Sequence, residues 1–414
     1  MKILLHIILI KVTPCLIYIY KLFDNFPNIQ LNLKTIYYKF RASIEPKKKS
    51  FRWVRAGKVK GALISESKRN NKSYKINYYI DDKKYSVSAS KSIPSIKFYK
   101  FKNCIIFKGD DFVLNDGKLL VGDLFNWKIF VHPLESWGLT LSNNHQTIRM
   151  IQSEGIKKKL KKIVYIASSL SSNYFHFWLE IMPRIFLAAK KVKYKDYPIL
   201  LSNHTPNSIK QFLRRNFKNT KFIYSSSYKN YCVEELIIIS EPGFTPYNLR
   251  KLPQEFNSDF IHYPTFNMLR NFFIPKLNKR DAIKKVFILR KSNRRKINNM
   301  EGVLSLAQFY GYTIICTSSF DIEEQIRIFY QADYLLGIIG AEFINTIFCR
   351  PSCLITAIST SSTYGNYNLL PSLISGTAKA RLNYFTCKPD DINDVHSNIN
   401  VDLKKFNAYL SVLH

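Results

Sequence analysis

Acidic residues are scarce in this chain of 414 residues. Only 29 Asp and Glu stand against 63 Lys and Arg, so the formal net charge is +34. A balance of this kind favours anionic partners, whether nucleic acid, anionic lipid or a phosphate-bearing substrate. An AT-rich genome would also raise the lysine count, so the shortage of Asp and Glu is the stronger signal. The hydrophobic fraction of 46% excludes a disordered chain, and the length allows two domains.

Signatures of disulfides and metal sites are missing from the sequence. The seven cysteines are odd in number and scattered, and only Cys349 and Cys353 lie close together. A C-x-x-x-C pair without a nearby histidine is not a convincing zinc signature. We therefore expect reduced thiols in a cytoplasmic protein, and no metal site.

Long apolar runs are also lacking. The runs at residues 3–10 and 15–20 are each followed by a lysine, and neither reaches the roughly 20 residues that a spanning helix needs. No small-residue cleavage site supports a signal peptide. Apolar runs flanked by lysines are typical of segments that lie on a membrane surface. Residues 1–60 are therefore predicted to form a basic segment that can touch the inner face of the cell membrane.

The order of strand and helix patterns predicts an α/β fold. Short β patterns broken by turns fill the first part of residues 61–250, and strand–helix alternation begins near residue 163. A second alternation falls within residues 251–390, after a helical break. Repeated strand–helix units indicate parallel sheets covered by helices. We expect two Rossmann-like domains, residues 61–250 and 251–390, facing each other across a cleft. The first of these domains begins with a β-rich portion, and residues 391–414 form a tail.

The most informative segment is residues 173–184, N-Y-F-H-F-W-L-E-I-M-P-R, after a predicted strand and a serine-rich turn. His176, Glu180 and Arg184 recur every four residues and so share one face of a predicted helix. Such polar groups in an apolar segment are costly unless they pair or meet a ligand. The carboxyl end of a strand is where open α/β sheets hold ligands. A buried structural network and a functional site both remain open at this point.

A second cluster follows the predicted strand at 286–289. The run R-K-S-N-R-R-K-I-N at 290–298 places Arg290, Arg294 and Arg295 at the carboxyl end of that strand. Guanidinium groups match phosphate oxygens, although a solvated run of charge would look the same.

Two further segments favour the phosphate interpretation. Ser319 to Asp321 can cap a helix that carries Gln325. The predicted strand 334–339 then runs into Gly340 and Ala341, where backbone N–H groups can meet an anion. The pattern is neither G-x-G-x-x-G nor a Walker loop, so dinucleotide and ATP sites are poorly supported.

Four segments together resemble glycosyltransferase family 61, known from bacterial capsule and lipopolysaccharide loci. They are residues 173–184, 290–298, 321–333 and 337–351, and the resemblance covers about 160–360. It implies an inverting GT-B enzyme that moves a sugar from a nucleotide-sugar to a glycan or lipid-linked acceptor. It also implies surface polysaccharide biosynthesis without a catalytic metal or a further cofactor, which the lack of an Asp-x-Asp sequence matches.

On this resemblance, His176 and Glu180 are the candidate catalytic residues. The candidate substrate-binding residues are Asn173, Arg184, Arg290, Arg294, Arg295, Asn298, Gln325, Gly340, Ala341, Glu342 and Asn345. Arg184 is expected to keep Glu180 ionised. Pro183 is expected to kink the helix.

The last motif departs from the family, which often has G-x-H-G-A-G. Ile339 replaces the histidine, and Glu342 replaces a small residue. We expect the Glu342 side chain to turn away from a diphosphate or to bind ribose. The departures leave room for a catalytically inactive assembly partner. The charge leaves room for a nucleic-acid-binding protein, although no helix-turn-helix, RRM or zinc-finger pattern supports one.

Overall fold

A computed structural model describes most of the chain after residue 47. The described residues are 48–67, 70–80, 83–107, 113–121, 140–141, 147–151, 156–191, 194, 196–225, 229–245, 260–277, 282–291, 295–360, 369–391 and 397–414. The apolar runs before residue 21, and Arg294, lie outside the described residues.

The strands are labelled β1 to β21 in chain order. They are Lys48–Arg55, Leu63–Glu66, Asn70–Ile80, Lys83–Ile93, Lys97–Ile106, Val113–Asn115, Lys118–Val121, Thr140–Leu141, Thr147–Ile151, Ile156–Tyr165, Ile199–Leu201, Phe222–Tyr224, Lys229–Ile239, Gly243–Phe244, Phe260–Ile261, Lys285–Ile288, Thr313–Ile315, Tyr334–Ile338, Leu354–Thr360, Arg381–Pro389 and Ile399–Asn400.

The α-helices are labelled α1 to α8. They are Tyr174–His176, Met182–Lys190, Asn207–Asn216, Tyr263–Phe273, Met300–Phe309, Ile322–Gln331, Leu369–Gly376 and Leu403–Leu413. A π-helical turn, Phe177–Ile181, joins α1 to α2. Short 3₁₀ helices are Ala56–Lys58, Ser169–Ser172, Ile274–Lys276, Thr317–Ser319 and Ala341–Phe348. No helix among the described residues is both long and apolar enough to cross a bilayer.

The chain forms two compact units. In the smaller one, β9 pairs antiparallel with both β1 and β8. The larger unit comprises residues 54–116, 120–125 and 155–414, and its described strands form two large sheets and a small one in which β14 pairs antiparallel with β15.

The first sheet of the larger unit has four parallel strands in the order β12–β11–β10–β13. Strand β5 adds antiparallel to β13, and β2 and β6 add to β5. By chain order the parallel strands read 3-2-1-4, so the strands that follow β10 lie first on one side of it and then on the other. The reversal lies between β10 and β13, and α/β proteins of this kind bind ligands in the crevice outside the carboxyl ends of the strands at such a reversal.

The second sheet has the order β17–β16–β18–β19–β20, all parallel. This order reads 2-1-3-4-5, and its reversal lies between β16 and β18. The hairpin of β3 and β4, from the N-terminal half of the chain, extends the sheet because β3 pairs parallel with β20. The hairpin therefore belongs by pairing to the second sheet.

One apolar core joins the two sheets. It contains residues from β10, β13 and α2, in the half of the unit built on the first sheet. It also contains residues from β16, β18, β19 and α6, in the half built on the second sheet. A separate cluster covers the other face of the second sheet, where Phe406 and Leu410 of α8 are fully buried. Residues 403–413, predicted as part of a tail, thus form a helix that packs on this sheet.

The predicted alternation of strand and helix is confirmed from β10 to β19, with local differences. Strand β10 begins at Ile156 rather than 163. The segment after β18, Ala341–Phe348, is a 3₁₀ helix. Mixed parallel and antiparallel sheets confirm the α/β class.

Candidate active site

The loop after β10 is shaped to start a helix at the crevice of the first sheet. Ser168 and Asn173 both have extended backbones and side chains that accept hydrogen bonds from N–H groups ahead of them. Asn173 Oδ1 accepts from the amides of Phe175 at 3.0 Å and His176 at 3.4 Å. Asn173, a candidate substrate ligand, therefore acts here as a helix cap.

His176 and Glu180 form the predicted pair. His176 Nδ1 lies 2.9 Å from Glu180 Oε1, and their side chains are 13% and 4% exposed. A carboxylate at Nδ1 orients the ring, so that a proton taken from a substrate would enter at Nε2. The pair has the geometry of a general base with its orienting carboxylate.

Arg184 makes different contacts from those expected. Its Nε donates to the backbone carbonyl of Glu180 at 2.8 Å, and its NH1 lies 4.0 Å from Glu241 Oε1. Arg184 thus contacts the main chain of Glu180 and the side chain of Glu241. Glu241 lies two residues beyond the end of β13 and is not among the predicted site residues.

The kink expected from Pro183 takes the form of a wide turn. The amide of Met182 bonds to the carbonyl of Phe177, five residues back, which defines the π-helical turn. Pro183 has no N–H for the Leu179 carbonyl. That oxygen lies against Gly243, where an added Cβ would stand only 2.7 Å from it. In this turn the Glu180 carboxylate contacts the His176 ring, and the Glu180 backbone carbonyl accepts a hydrogen bond from Arg184.

A buried hydrogen-bond chain connects this helix to the second half. Tyr174 donates to Asn345 Oδ1 at 2.8 Å, and Asn345 Nδ2 donates to Gln325 Oε1 at 3.2 Å. Burial is the main reason why the pKa of Tyr174 is raised, and the nearby Glu342 carboxylate adds to it. The segments 173–184 and 337–345 are joined here by a direct hydrogen bond.

Aromatic packing surrounds the same junction. Trp178 is fully buried, with its ring centre 5.3 Å from that of Phe348 and 5.8 Å from that of Phe212. Because Phe348 ends the 3₁₀ helix and Phe212 lies in α3, one indole ring contacts both halves.

A basic cavity of about 420 Å³ opens at the reversal point of the second sheet. Its cationic wall consists of Arg290, Lys291, Arg295 and Lys296. Its apolar wall consists of Leu289, Ile297, Met300 and Ile338. Leu289 and Arg290 follow β16, and Ile338 ends β18. Four cations beside an apolar wall suit a ligand that has phosphates and a flat or apolar part.

The loop that carries these cations is held by the strand Ile399–Asn400. Ile297 forms a bridge with Ile399, and the Asn298 amide donates to the Ile399 carbonyl at 2.8 Å. The Asn298 side chain donates to both carboxylate oxygens of Asp390, at 3.1 and 3.0 Å. Asn298, predicted to bind substrate, instead holds the loop to Asp390 and Ile399 in these contacts. Arg295 has a left-handed backbone, with φ of 56°.

Gly340 brings Arg290 and Glu342 together. Arg290 NH1 donates to the Ile339 carbonyl at 3.3 Å. A Cβ at position 340 would stand 3.2 Å from Arg290 Cδ and Nε, and it would collide with Glu342 Oε2. The Glu342 side chain therefore folds back over Gly340, beside Arg290. Gly340 permits this close approach because it has no side chain.

The predicted site residues thus fall into three groups. Arg290 and Arg295 line the cavity, with Lys291 and Lys296, which the prediction had not included. His176 and Glu180 lie at the crevice of the first sheet. Gln325 and Asn345 are buried and belong to the hydrogen-bond chain that begins at Tyr174. They therefore connect the helix of His176 to the half of the unit that holds the cavity. Ala341 begins the 3₁₀ helix beside Gly340.

Across the described ranges, no group of three or more His, Cys, Asp or Glu side chains could hold a metal ion. Metal independence remains a prediction.

The model of the family described as Glycosyltransferase 61 matches residues 174–356. The match begins at Tyr174, one residue after the first motif starts, and it includes the other three motifs. No protein of curated function matches the sequence.

Proposed function

Since residues 174–356 belong to glycosyltransferase family 61, as the motifs predicted, we propose that the protein is an inverting, metal-independent transferase of the GT-B type. The family itself implies glycosyl transfer. We further propose a nucleotide-sugar donor, a glycan or lipid-linked acceptor and a role in surface polysaccharide synthesis at the cytoplasmic face of the membrane. No cofactor besides the donor is proposed.

The basic cavity is the observation that carries this proposal. It lies at the carboxyl ends of β16 and β18, where parallel sheets of this strand order bind nucleotides and related phosphates. Arg290 and Arg295 would neutralise the phosphates of the donor, and Met300 and Ile297 would contact its apolar parts. The amide end of the 3₁₀ helix at Ala341 adds a partial positive charge nearby.

Inversion requires one displacement at the anomeric carbon. The acceptor hydroxyl attacks as the bond to the nucleotide breaks, and the hydroxyl proton must be taken up. His176 would take that proton at Nε2, and Glu180 would stabilise the imidazolium through Nδ1. Charge that develops on the departing phosphate would be met by the cations of the cavity.

A thermal-shift panel of nucleotide-sugars tests the donor proposal. A true donor binds only the folded state, so at a hundredfold excess over Kd it raises the unfolding free energy by about 2.7 kcal/mol. The melting temperature rises as a result. Lys296→Gln should weaken that stabilisation, since Lys296 lines the cavity. Lys218→Gln is the matched control, because Lys218 is also exposed but follows α3 and is not among the residues that line the cavity.

The same preparations then receive the stabilising donor and an acceptor mixture. Appearance of free nucleotide supports transfer. Stabilisation without turnover would indicate an inactive binding partner. A failure of every nucleotide-sugar to stabilise the protein would refute the donor proposal.

A further inference from the structure

A concentrated set of exposed lysines lies in β10 of the first sheet, whereas the cavity lies at the second sheet. Lys157, Lys158, Lys159, Lys161 and Lys162 are all exposed, and we call them the lysine ribbon. Successive strand residues point to opposite faces, so the ribbon carries positive charge on both sides of the sheet. No arginine occurs among these positions.

Neighbouring acidic groups cancel only part of this charge, since the adjacent strand places two carboxylates beside five lysines. Glu234 and Glu235 are the acidic residues of the adjacent strand β13. Glu235 is already held by Lys100, whose Nζ lies 2.6 Å away, and by the Tyr197 hydroxyl. On β5, the exposed Lys102 pairs in register with Glu235 and adds another cation.

The position of the ribbon is defined by the sheet. It lies toward the amino end of β10, whereas the helix with His176 follows the carboxyl end of that strand. At roughly 3.3 Å per residue, Lys157 lies about 26 Å and Lys162 about 10 Å along the strand from Tyr165. A ligand that covers the amino end of the ribbon, at Lys157 to Lys159, is therefore separate from the substrates of the candidate active site.

We propose that the lysine ribbon is a docking surface for an anionic lipid bilayer. Lysine ammonium groups are compact point charges, which suit a diffuse layer of headgroups, while specific phosphate sites favour the arginine fork. The rings of Tyr165 and Tyr231 are buried, 8% and 3% exposed, and Lys162 Nζ lies over the half-buried ring of Tyr197, so these rings offer little stacking surface for bases. The chemistry of the ribbon thus fits a bilayer better than a nucleic acid.

A purely structural role would also explain the lysines. Among the described strands, β11 pairs with β10 only at Val164 and Tyr165, so the ribbon portion has no described partner on that side. Lysines on an open strand edge prevent pairing with another molecule. The two roles predict different outcomes when the lysines are neutralised.

The test compares two full-length variants of equal charge. One replaces Lys157, Lys158, Lys159 and Lys161 by Gln, and it spares Lys162 because its Nζ lies 4.8 Å from the Tyr197 ring centre. The control replaces the exposed Lys379, Lys388, Lys404 and Lys405 by Gln. Binding is measured by sedimentation with phosphatidylcholine vesicles that contain about one third phosphatidylglycerol.

We expect wild type to bind these vesicles and not pure phosphatidylcholine, with binding weakened by salt. The ribbon variant should bind about 10²–10³-fold more weakly, at roughly fivefold per lysine, while the control variant changes far less. Nucleotide-sugar stabilisation should be unchanged in both, so this test can fail without affecting the proposed transferase.

Three results would overturn the proposal. Equal losses in both variants would show that only net charge matters. Unchanged vesicle binding with new self-association of the ribbon variant would assign the lysines to edge protection. Tighter binding to RNA than to vesicles, lost in the ribbon variant alone, would identify a nucleic-acid surface. If the ribbon variant does not fold, the double variant Lys157→Gln/Lys159→Gln replaces it, with about a 25-fold loss expected.

Discussion

At residue scale, the pair His176 and Glu180 decides how the acceptor would be activated. Their 2.9 Å contact places a carboxylate on one ring nitrogen and directs the other toward proton transfer. His176→Ala and Glu180→Gln should each lower turnover by about 10²–10⁴-fold with little change in donor affinity. Single-turnover rates and donor Kd, measured on the same preparations, check this split.

The neighbouring loop offers a matched control for that prediction. His204 follows β11 as His176 follows β10, but it is exposed and its ring has no hydrogen bond described here. His204→Ala should keep full turnover. A Glu180→Gln protein that melts earlier but turns over normally would make the pair structural and exclude Glu180 from catalysis.

At the scale of elements, the chain Tyr174–Asn345–Gln325 couples α1 to the 3₁₀ helix Ala341–Phe348. Tyr174→Phe leaves the Asn345 oxygen without its donor, and Asn345→Leu leaves the Tyr174 hydroxyl buried without its acceptor. Each should cost about 1–3 kcal/mol of unfolding free energy. The double variant should lose less unfolding free energy than the two single losses added together. In the double variant neither the Tyr174 hydroxyl nor the Asn345 amide remains to be left without its hydrogen-bond partner.

Denaturant titration of the four proteins in this cycle gives the coupling energy, expected at about 0.5–3 kcal/mol. Tyr310→Phe provides the control pair with Asn345→Leu, since the Tyr310 hydroxyl bonds to Asn407 at the molecular surface. That second pair should be additive. Additivity of Tyr174→Phe with Asn345→Leu would mean that the bond does not couple the two elements.

The same elements show what a sequence can and cannot predict. Strand–helix alternation placed His176 after β10 and Arg290 after β16, because periodicity and turn residues are local signals. The start of β10 was missed, since lysines on both faces hide the alternation of a strand. The 3₁₀ helix has apolar spacing that an α-helix would share. The pairing of β3 with β20 and the contact of Arg184 with Glu241 depend on residues distant in sequence, which local patterns do not encode.

At the scale of the whole molecule, the shared core determines how the larger unit unfolds. A GT-B enzyme of two independent domains could melt in two steps, whereas one core containing both sheets favours a single step. Trp178 lies at the junction, packed against Phe212 and Phe348. Trp178→Ala should lower the unfolding free energy by about 3–5 kcal/mol. It should lower the melting temperature of both halves together.

Hydrogen exchange can follow the two halves separately through the amides of β10 and β18. In Trp178→Ala both strands should lose protection by the same free energy, and calorimetry should still give one transition. Trp178→Phe keeps most of the ring contacts and should lose much less. Loss of protection in β10 alone, with β18 unchanged and a second calorimetric peak, would show that the halves fold independently and that the junction only docks them. Equal loss would instead mean that substrates bound to either sheet stabilise both, so that donor binding at the cavity would also protect the helix that carries His176.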